Sequence, residues 1–589
     1  MSGQLTQQGQ GSSHNRTRSF WVPALATAFS IGGLWVGYKL SKYVRTQRRR
    51  QRLLIQYQKE MIPDSARMEA IKEDFMKQLD YGRENKVTPT GRHMLMLPSY
   101  VTALPTGLES GDSYAIDLGG TNFRVLHVVL SKEPSKVECT EMTEVSIPPN
   151  VYKGTGQQLF DFLATTLKDF IKEHKSKSSD MRVPVVGFCF SFPMDQTSLT
   201  QGLLLDWTKG FTCTGVIGQD PVALLSQALD RAGMHCRVSA LLNDTIGVWA
   251  AQRYFDPKTS IGLILGTGTN ACYVLPVARI PKWDYKDPSL QHPEALTVVN
   301  VEWGAFESQW LPRTAEDRDV DASTAHKGKY LFEKLVSGMF LGEVARRILL
   351  TLAADTKLFG DYSTSPDAAC VLAKLAEPSS FTSVHMSAIV GEAMESKEQQ
   401  RKGPAARDML PKTAEMLHKS LGAGPAEAPP STRKVVKEVC VMVALRSAKM
   451  VALGLDALLT HSGWKDWALH ELATQERRAT DLSLPSLATT IAIDGSVFAK
   501  FGGYQAMLAS CMLELLGPEL HPLVHIKLTQ DGSSLGAVVL AQAAAEEAAR
   551  KSRASADEGP VAKALEPMQT ASKAQTQQQN SREPAGAQA

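Results

Sequence analysis

The sequence predicts an α/β protein, and three observations carry that prediction. Apolar runs ending in tight turns of Gly, Thr, Asp and Ser recur at Ser113–Leu130, Ser260–Leu275 and Thr489–Phe498. Runs with helical spacing of apolar residues occupy about 55–86 and resume from Val435, and strand and helix patterns mixed in one body are the signature of the α/β class. The chain is 589 residues long, enough for two or more core-bearing domains.

Composition narrows the function class. The chain is 43% hydrophobic and 21% charged, with a net charge of +3, which is ordinary for a globular protein. Its basicity is concentrated at 43–52, "YVRTQRRRQR", whereas a nucleic-acid-binding body spreads basic surface over the fold; no nucleic-acid partner is expected. Eight cysteines are scattered without a CxxC or a metal-ligand spacing, so reduced thiols are expected rather than a disulfide framework or a structural zinc.

Taken in order, residues 1–19 are Gln-, Ser- and Gly-rich and read as disordered. Phe20–Tyr38 carries no charge over 19 residues, with Trp21, Trp35 and Tyr38 near its ends. A bilayer core needs about 20 residues, and interfacial aromatics belong at such ends. Seven basic residues follow between Lys39 and Arg52. The reading is an uncleaved transmembrane anchor that keeps the C-terminal body in the cytosol. Because 1–52 contains no acidic residue, a transit peptide is the alternative. Residues 39–89 read as a basic segment and helical linker, with Asp64 or Ser65 as N-cap and Gly82 as a C-terminal stop. The Lys-, Ala-, Gly- and Pro-rich stretch 396–433 reads as a mobile surface insertion with room for a short helix, and 549–589 as a disordered tail.

The turns carry the chemistry. "SYAIDLGGTNFRVLHVVL", Ser113–Leu130, reads as a hairpin, yet Asp117 stands in a strand, where aspartate is disfavoured. "SIGLILGTGTNACYVL" turns at Gly266–Thr269. Glycine-rich turns let backbone amides converge on an anion, with adjacent hydroxyls as further donors. Two such turns suggest two jaws on one phosphate chain. "TTIAIDGSVF" is a third apolar strand ending in Asp-Gly-Ser, and "DGSSLGAVVLAQAAA" opens a helix whose N-terminus suits an anion.

These segments resemble the hexokinases of the actin-like ATPase superfamily. "DLGGTNFRV" resembles the first phosphate loop, "GTGTNACY" the second, "AIDGS" the adenosine loop and "DGSSLGA" the last connecting segment. "FSFPMD" at 190–195, "WTKGF" at 207–211, "LLNDTIG" at 241–247, "VEWGAF" at 301–306 and "FEKLVSGMFLGE" at 332–343 resemble the sugar-side motifs. The match runs in order over roughly 90–540, and the anchor resembles that of plant-type membrane-associated hexokinases. The resemblance implies two ribonuclease-H-like lobes around a central cleft: a small lobe at 90–243, a large lobe at 244–525, and a segment at 526–548 returning to the small lobe.

The implied activity is transfer of phosphate from ATP to the 6-hydroxyl of a hexose, glucose first among them, in glycolysis. Asp244 is the implied general base and Lys209 its catalytic neighbour. The sugar's other partners are Ser191, Phe192, Pro193, Thr208, Asn243, Asn270, Glu302 and Glu333. ATP and Mg²⁺ fall to Asp117, Gly119, Gly120, Thr121, Asn122, Arg124, Thr267, Gly268, Asp494, Gly495, Ser496, Gly532 and Ser533, with Asp117 holding the metal through water. Taken alone, Asp117 reads equally as a turn cap, Asn243-Asp244 as a helix N-cap, and Glu302 and Glu333 as surface charges. A monomer at the mitochondrial outer membrane is expected, with a plastid envelope, or the plastid stroma after cleavage, as the alternative.

Two departures bear on function. "TAHKGKYLFEK" puts Thr324, His326, Lys327 and Tyr330 in a loop where the family usually has Ser-x-Asn-Pro-Gly-x-Gln, with Tyr330 in place of a sugar-site glutamine. Ser534 stands where a glycine is usual, which implies strain if its φ is positive. A catalytically weak glucose sensor and a kinase preferring fructose are the alternatives these changes keep open.

Overall fold

The computed structural model describes residues 21–85, 93–174, 183–283, 295–398, 410–478 and 487–557, with the backbone alone for 21–37 and a few helix-end positions. Two sheets of like topology form its frame. The smaller lobe contains β2 (Gly111–Leu118), β3 (Asn122–Leu130), β4 (Val137–Ser146), β5 (Val185–Phe190) and β8 (Arg237–Leu242) in the order β4-β3-β2-β5-β8. The larger lobe contains β9 (Thr259–Leu265), β10 (Thr269–Pro276), β11 (Leu296–Asn300), β12 (Thr489–Asp494) and β13 (Val524–Leu528) in the order β11-β10-β9-β12-β13. In each, three antiparallel strands continue into two parallel ones. This is the repeated ribonuclease-H-like pattern. A short strand β1 (Leu97–Pro98) adds to the larger sheet beside β11, and β6 (Met194–Ser198) pairs with β7 (Gln201–Leu204).

The central parallel strands β5 and β12 are buried on both faces, so they read as continuous apolar runs, "FCF" and "IAI", whereas the edge strand β13 is largely exposed. A third core lies between the sheets. It joins Ala115, Leu126 and Cys189 of the small sheet to Cys272 and Val298 of the large one through Trp249 and Ala537–Ala541. Trp249 belongs to the helix Asp244–Phe255, and Ala537–Ala541 to the C-terminal helix Gly532–Asp557. These two helices cross at glycines: a Cβ on Gly536 would collide with the Gly247 carbonyl, and one on Gly247 with the Ser533 backbone. The C-terminal helix then lies on the small-lobe strands; a Cβ on Gly187 of β5 would meet the Ala537 backbone.

Several boundaries move. Residues 39–89 are not a free linker. The helix Trp21–Met61 docks on the large lobe through buried Leu54, Tyr57 and Met61, with Arg50 donating to Thr356 and Tyr57 to Glu316. Asp64 caps the next helix, Ser65–Glu84, accepting from the Arg67 amide. Gly82 does not stop that helix; it lies inside it, where a Cβ would come within 2.5 Å of the Met94 carbonyl. The second half of 396–433 is built in rather than mobile. The helix Pro411–Leu421 buries Leu417 and Leu421, and the nearly all-round buried helix Pro430–His461 begins within the same segment. The first half, 399–409, and the ends 1–20 and 558–589 lie outside the described residues, as do the side chains of the expected span at 20–38, save Tyr38. Among the described residues no helix is long and apolar enough to cross a membrane.

Gly536→Ala is expected to lower the unfolding free energy by about 1–3 kcal/mol, because overpacking at a backbone contact forces the two helices apart. Urea unfolding of both proteins checks this, and coincident curves would contradict the tight crossing.

Candidate active site

The Ser113–Leu130 hairpin forms as its alternation dictates, with Asp117 opposite Arg124 and Leu118 opposite Phe123 across the turn. Asp117 is 6% exposed, which a carboxylate tolerates only when paired. Its Oδ2 accepts from the hydroxyls of Ser533 at 2.6 Å and Ser534 at 2.7 Å. Its Oδ1 lies on the side of Gly119, whose Cβ position is also near the Ser191 hydroxyl. Arg124 bridges Glu144 and Asp531, and Asn122 exchanges bonds with Glu144 and Ser146. The Thr121 carbonyl is held by the Ile147 amide, while a Cβ on Gly120 would meet nothing within 4 Å, so that turn is open.

From the large lobe, Gly266 lies against Gly495, where a φ of 120° and the Leu265 carbonyl, 2.5 Å from where a Cβ would stand, exclude a side chain. The amides of Gly338 and Met339 bond the carbonyls of Gly266 and Thr267. The amide of Thr269, just after Gly268, donates to Glu333. Asp494 accepts from the amides of Gly495 and Gly532, and burial raises its pKa; its carboxylate braces the loop, with Ser496 opening the helix that follows. The turn Asp531–Ser534 is thus tied at once to Asp117, Arg124 and Asp494.

Deeper in the cleft, Asn243 caps the helix Asp244–Phe255, its oxygen accepting from the amide and hydroxyl of Thr245. The cap fixes Asp244, whose Oδ1 takes the Thr245 amide and whose Oδ2 lies 3.7 Å from Lys209 Nζ. Lys209 also donates to the Ser191 carbonyl at 3.0 Å and lies over the Phe192 ring. Phe192 packs on Trp207 and Phe211, the Pro193 carbonyl holds the Leu205 amide, and the Thr208 carbonyl accepts from the Phe211 amide. Asn270 donates to Asn300 and Glu302, and Asn300 donates to Glu302. Lys209, Glu302 and Tyr330 have φ of 56°, 57° and 54°. Non-glycine residues in this region store strain, and such strain clusters at functional sites.

Burial pushes Glu302 up to about 7, with the Asn300 hydrogen bond pulling down and the Asp244 charge pushing up. Glu333 is raised for the same first reason. Burial, and then the charges of Glu302, Asp206 and Glu333, push the Tyr330 phenol to about 12, and its ring packs edge-on to His326. The Cys189 thiol, under the floor, is raised by burial and then by both Asp117 and Asp244. The contacts therefore link Gly119 through Ser191 and Lys209 to Asp244, and Gly268 through Glu333 and Thr269 to the same cleft.

Among the described residues no group of three or more His, Cys, Asp or Glu is arranged to hold a metal by itself. A single carboxylate with an oxygen toward a phosphate loop fits Mg²⁺, which keeps several waters and is held largely by nucleotide phosphates.

Two hexokinase family models match residues 54–254 and 260–543. Hexokinase-1 of Nicotiana tabacum is 35% identical over 522 residues, covering 88% of this chain and 96% of that relative. The chain belongs to the hexokinase family. Its reaction is the ATP-dependent phosphorylation of a hexose. Hexokinase-4, chloroplastic, of Oryza sativa subsp. japonica is 37% identical over 456 residues, 77% of this chain and 81% of that one. The solved hexokinase from Schistosoma mansoni complexed with glucose aligns with a TM-score of 0.64 at 29% identity, covering 84% of this chain and 99% of that one.

Ser534 corrects one expectation. It is not among the positive-φ residues, so it carries no strain; it lies in the first turn of the C-terminal helix and is fully buried. Sequence reasoning missed Asn300, whose signal is a buried polar residue closing an apolar strand two positions before Glu302. It also missed Asp531, the partner of Arg124.

The raised Glu302 pKa has a signed consequence. The folded state holds the proton more tightly than the unfolded chain, so this contribution to stability is present in acid and is lost as pH rises from about 4.5 to about 7. Glu302→Gln is expected to stabilise the sugar-free protein at pH 8 by up to about 3 kcal/mol and much less at pH 5. Urea unfolding at the two pH values measures it, and an equal effect at both would contradict the assignment.

Proposed function

We propose that the protein phosphorylates glucose at the 6-hydroxyl, with Asp244 as general base. The observation that carries this is the position of Asp244. Its Oδ2 faces Lys209, in the same cleft as Glu302, Glu333 and Asn270. In the step, the 6-oxygen forms a bond to the γ-phosphorus while the bond from that phosphorus to the β,γ-bridging oxygen breaks, and ADP leaves. The hydroxyl proton passes to Asp244. The transition state is loose, with charge on the phosphate oxygens, so positioning and electrostatics outweigh the strength of the base.

Backbone amides at Gly119–Asn122 and at Thr267–Gly268 cradle the phosphates from opposite sides, with Lys209 adding positive charge near the transferring group. Asp117 is the carboxylate that would hold Mg²⁺, through water, and the ion would supply charge neutralisation at the phosphates. Glu302, Glu333, Asn270, Asn243, Ser191 and Thr208 bond the sugar hydroxyls, and a site built on such bonds rejects water or a deoxy analogue strongly. That the schistosome relative was solved with glucose supports glucose as the hexose. Asp244→Asn is expected to retain glucose affinity within a few-fold while kcat falls about 10²–10⁴-fold. Calorimetry and a coupled assay with glucose, fructose and mannose test this. Unimpaired turnover would remove Asp244 as the base. Negligible wild-type turnover with intact glucose binding would favour the sensor reading, and preference for fructose would move the substrate.

We further infer that Phe20–Tyr38 anchors the enzyme to an organelle surface, the mitochondrial outer membrane first, with the catalytic body in the cytosol. The uncharged run and the following basic cluster support it. The full-length protein is expected to stay with membranes through carbonate extraction; release into the supernatant would contradict the anchor.

A further inference from the structure

The bonds to Asp117 assign a role to Ser534 that a glycine cannot fill. Asp117 is buried, and its carboxylate is free to rotate about one bond unless something fixes it. Both hydroxyls of the C-terminal helix start, Ser533 and Ser534, donate to the same oxygen, Oδ2, at 2.6 and 2.7 Å. The other oxygen, Oδ1, is thereby kept on the side of Gly119 and the open first phosphate turn. The donors are themselves held. Asp531 pairs with Arg124 of the same hairpin, and the Gly532 amide donates to Asp494 of the large lobe. Ser534 is fully buried in the first helical turn, so its hydroxyl has no solvent alternative to Asp117.

We propose that Ser534 is a positioning residue for the metal–nucleotide complex: with Ser533 it saturates Oδ2 of Asp117 and so presents Oδ1 toward the first phosphate loop. The proposal rests on the reading of Asp117 as the carboxylate that faces Mg²⁺. Loss of a partner that orients a metal's ligands commonly costs about 10–100-fold in metal affinity. Two donors from adjacent residues of one helix hold Oδ2 more tightly than one, and the Cys189 thiol also bonds the carboxylate. In this chain the second donor stands where a glycine is usual in the family, so the tighter hold belongs to this sequence.

The test is calorimetric titration of the full-length, glucose-saturated enzyme with a non-hydrolysable ATP analogue, in excess Mg²⁺ and again in EDTA. Ser534→Ala is expected to weaken binding by about tenfold in Mg²⁺, to leave binding in EDTA unchanged, and to leave glucose affinity unchanged. Ser534→Gly, which restores the residue usual in the family, is expected to behave alike and keeps the result readable if the alanine variant does not fold. An equal loss with and without Mg²⁺ would mean that the bond braces the loop generally, and it would overturn the proposal; so would no loss in either. Asp117→Asn separates the two layers. If it leaves the Mg²⁺ dependence intact, the reading of Asp117 itself fails. If it weakens Mg²⁺-nucleotide binding while Ser534→Ala does not, only the positioning role fails. In the Asp117→Asn background, Ser534→Ala is expected to add nothing further; a full additional loss would overturn the coupling.

Discussion

Three elements from distant parts of the chain meet at the turn Asp531–Ser534, and the geometry of the cleft follows from how that turn is tied. Arg124 and Asp117 hold it to the small-lobe hairpin, and Asp494 holds it to the large-lobe strand β12. The helix that follows crosses the helix of Asp244 at Gly247 and Gly536, with no room for a side chain at either. The crossing of these two helices therefore also ties Asp117, through Ser533 and Ser534, to the helix that Asp244 opens. The chain's large cores stabilise each lobe, but these few polar ties align them.

The sugar side shows the complementary arrangement. Carboxylates sit in surroundings that disfavour their charge, with Asn270 and Asn300 as neutral donors and Lys209 as the nearby cation. Burial raises Glu302 and Glu333, and three residues of the same cleft hold left-handed backbone conformations. Both features destabilise the empty site.

Much of this was legible in the sequence, for physical reasons. Strand-to-turn segments carry their function in residue type. An aspartate inside a strand opposes strand propensity, and glycines paired with threonine weaken a turn's packing, so both persist where a ligand needs them. Asp117, Gly266 and Gly495 lie at the turns their patterns predicted. Asn243 and Asp244 were legible as a pair because a short Asn-Asp motif after an apolar strand marks a helix N-cap. What was not legible depends on tertiary approach. Gly82 reads as a helix stop until the chain at Met94 packs against it. Ser534 reads as strain until Asp117 is found beside it. The helix ending at Met61 reads as a linker because its docking face is short and its basic residues dominate the composition. Asn300 lacked a motif of its own.

The most direct test of the central claim is a structure of the protein with glucose and a non-hydrolysable ATP analogue bound. The account predicts the sugar's 6-oxygen about 3 Å from Asp244 Oδ2, its remaining hydroxyls on Glu302, Glu333 and Asn270, and the terminal phosphate between the turns at Gly119 and Gly268. Glucose seated elsewhere, or seated there with its 6-hydroxyl turned away from Asp244, would contradict it.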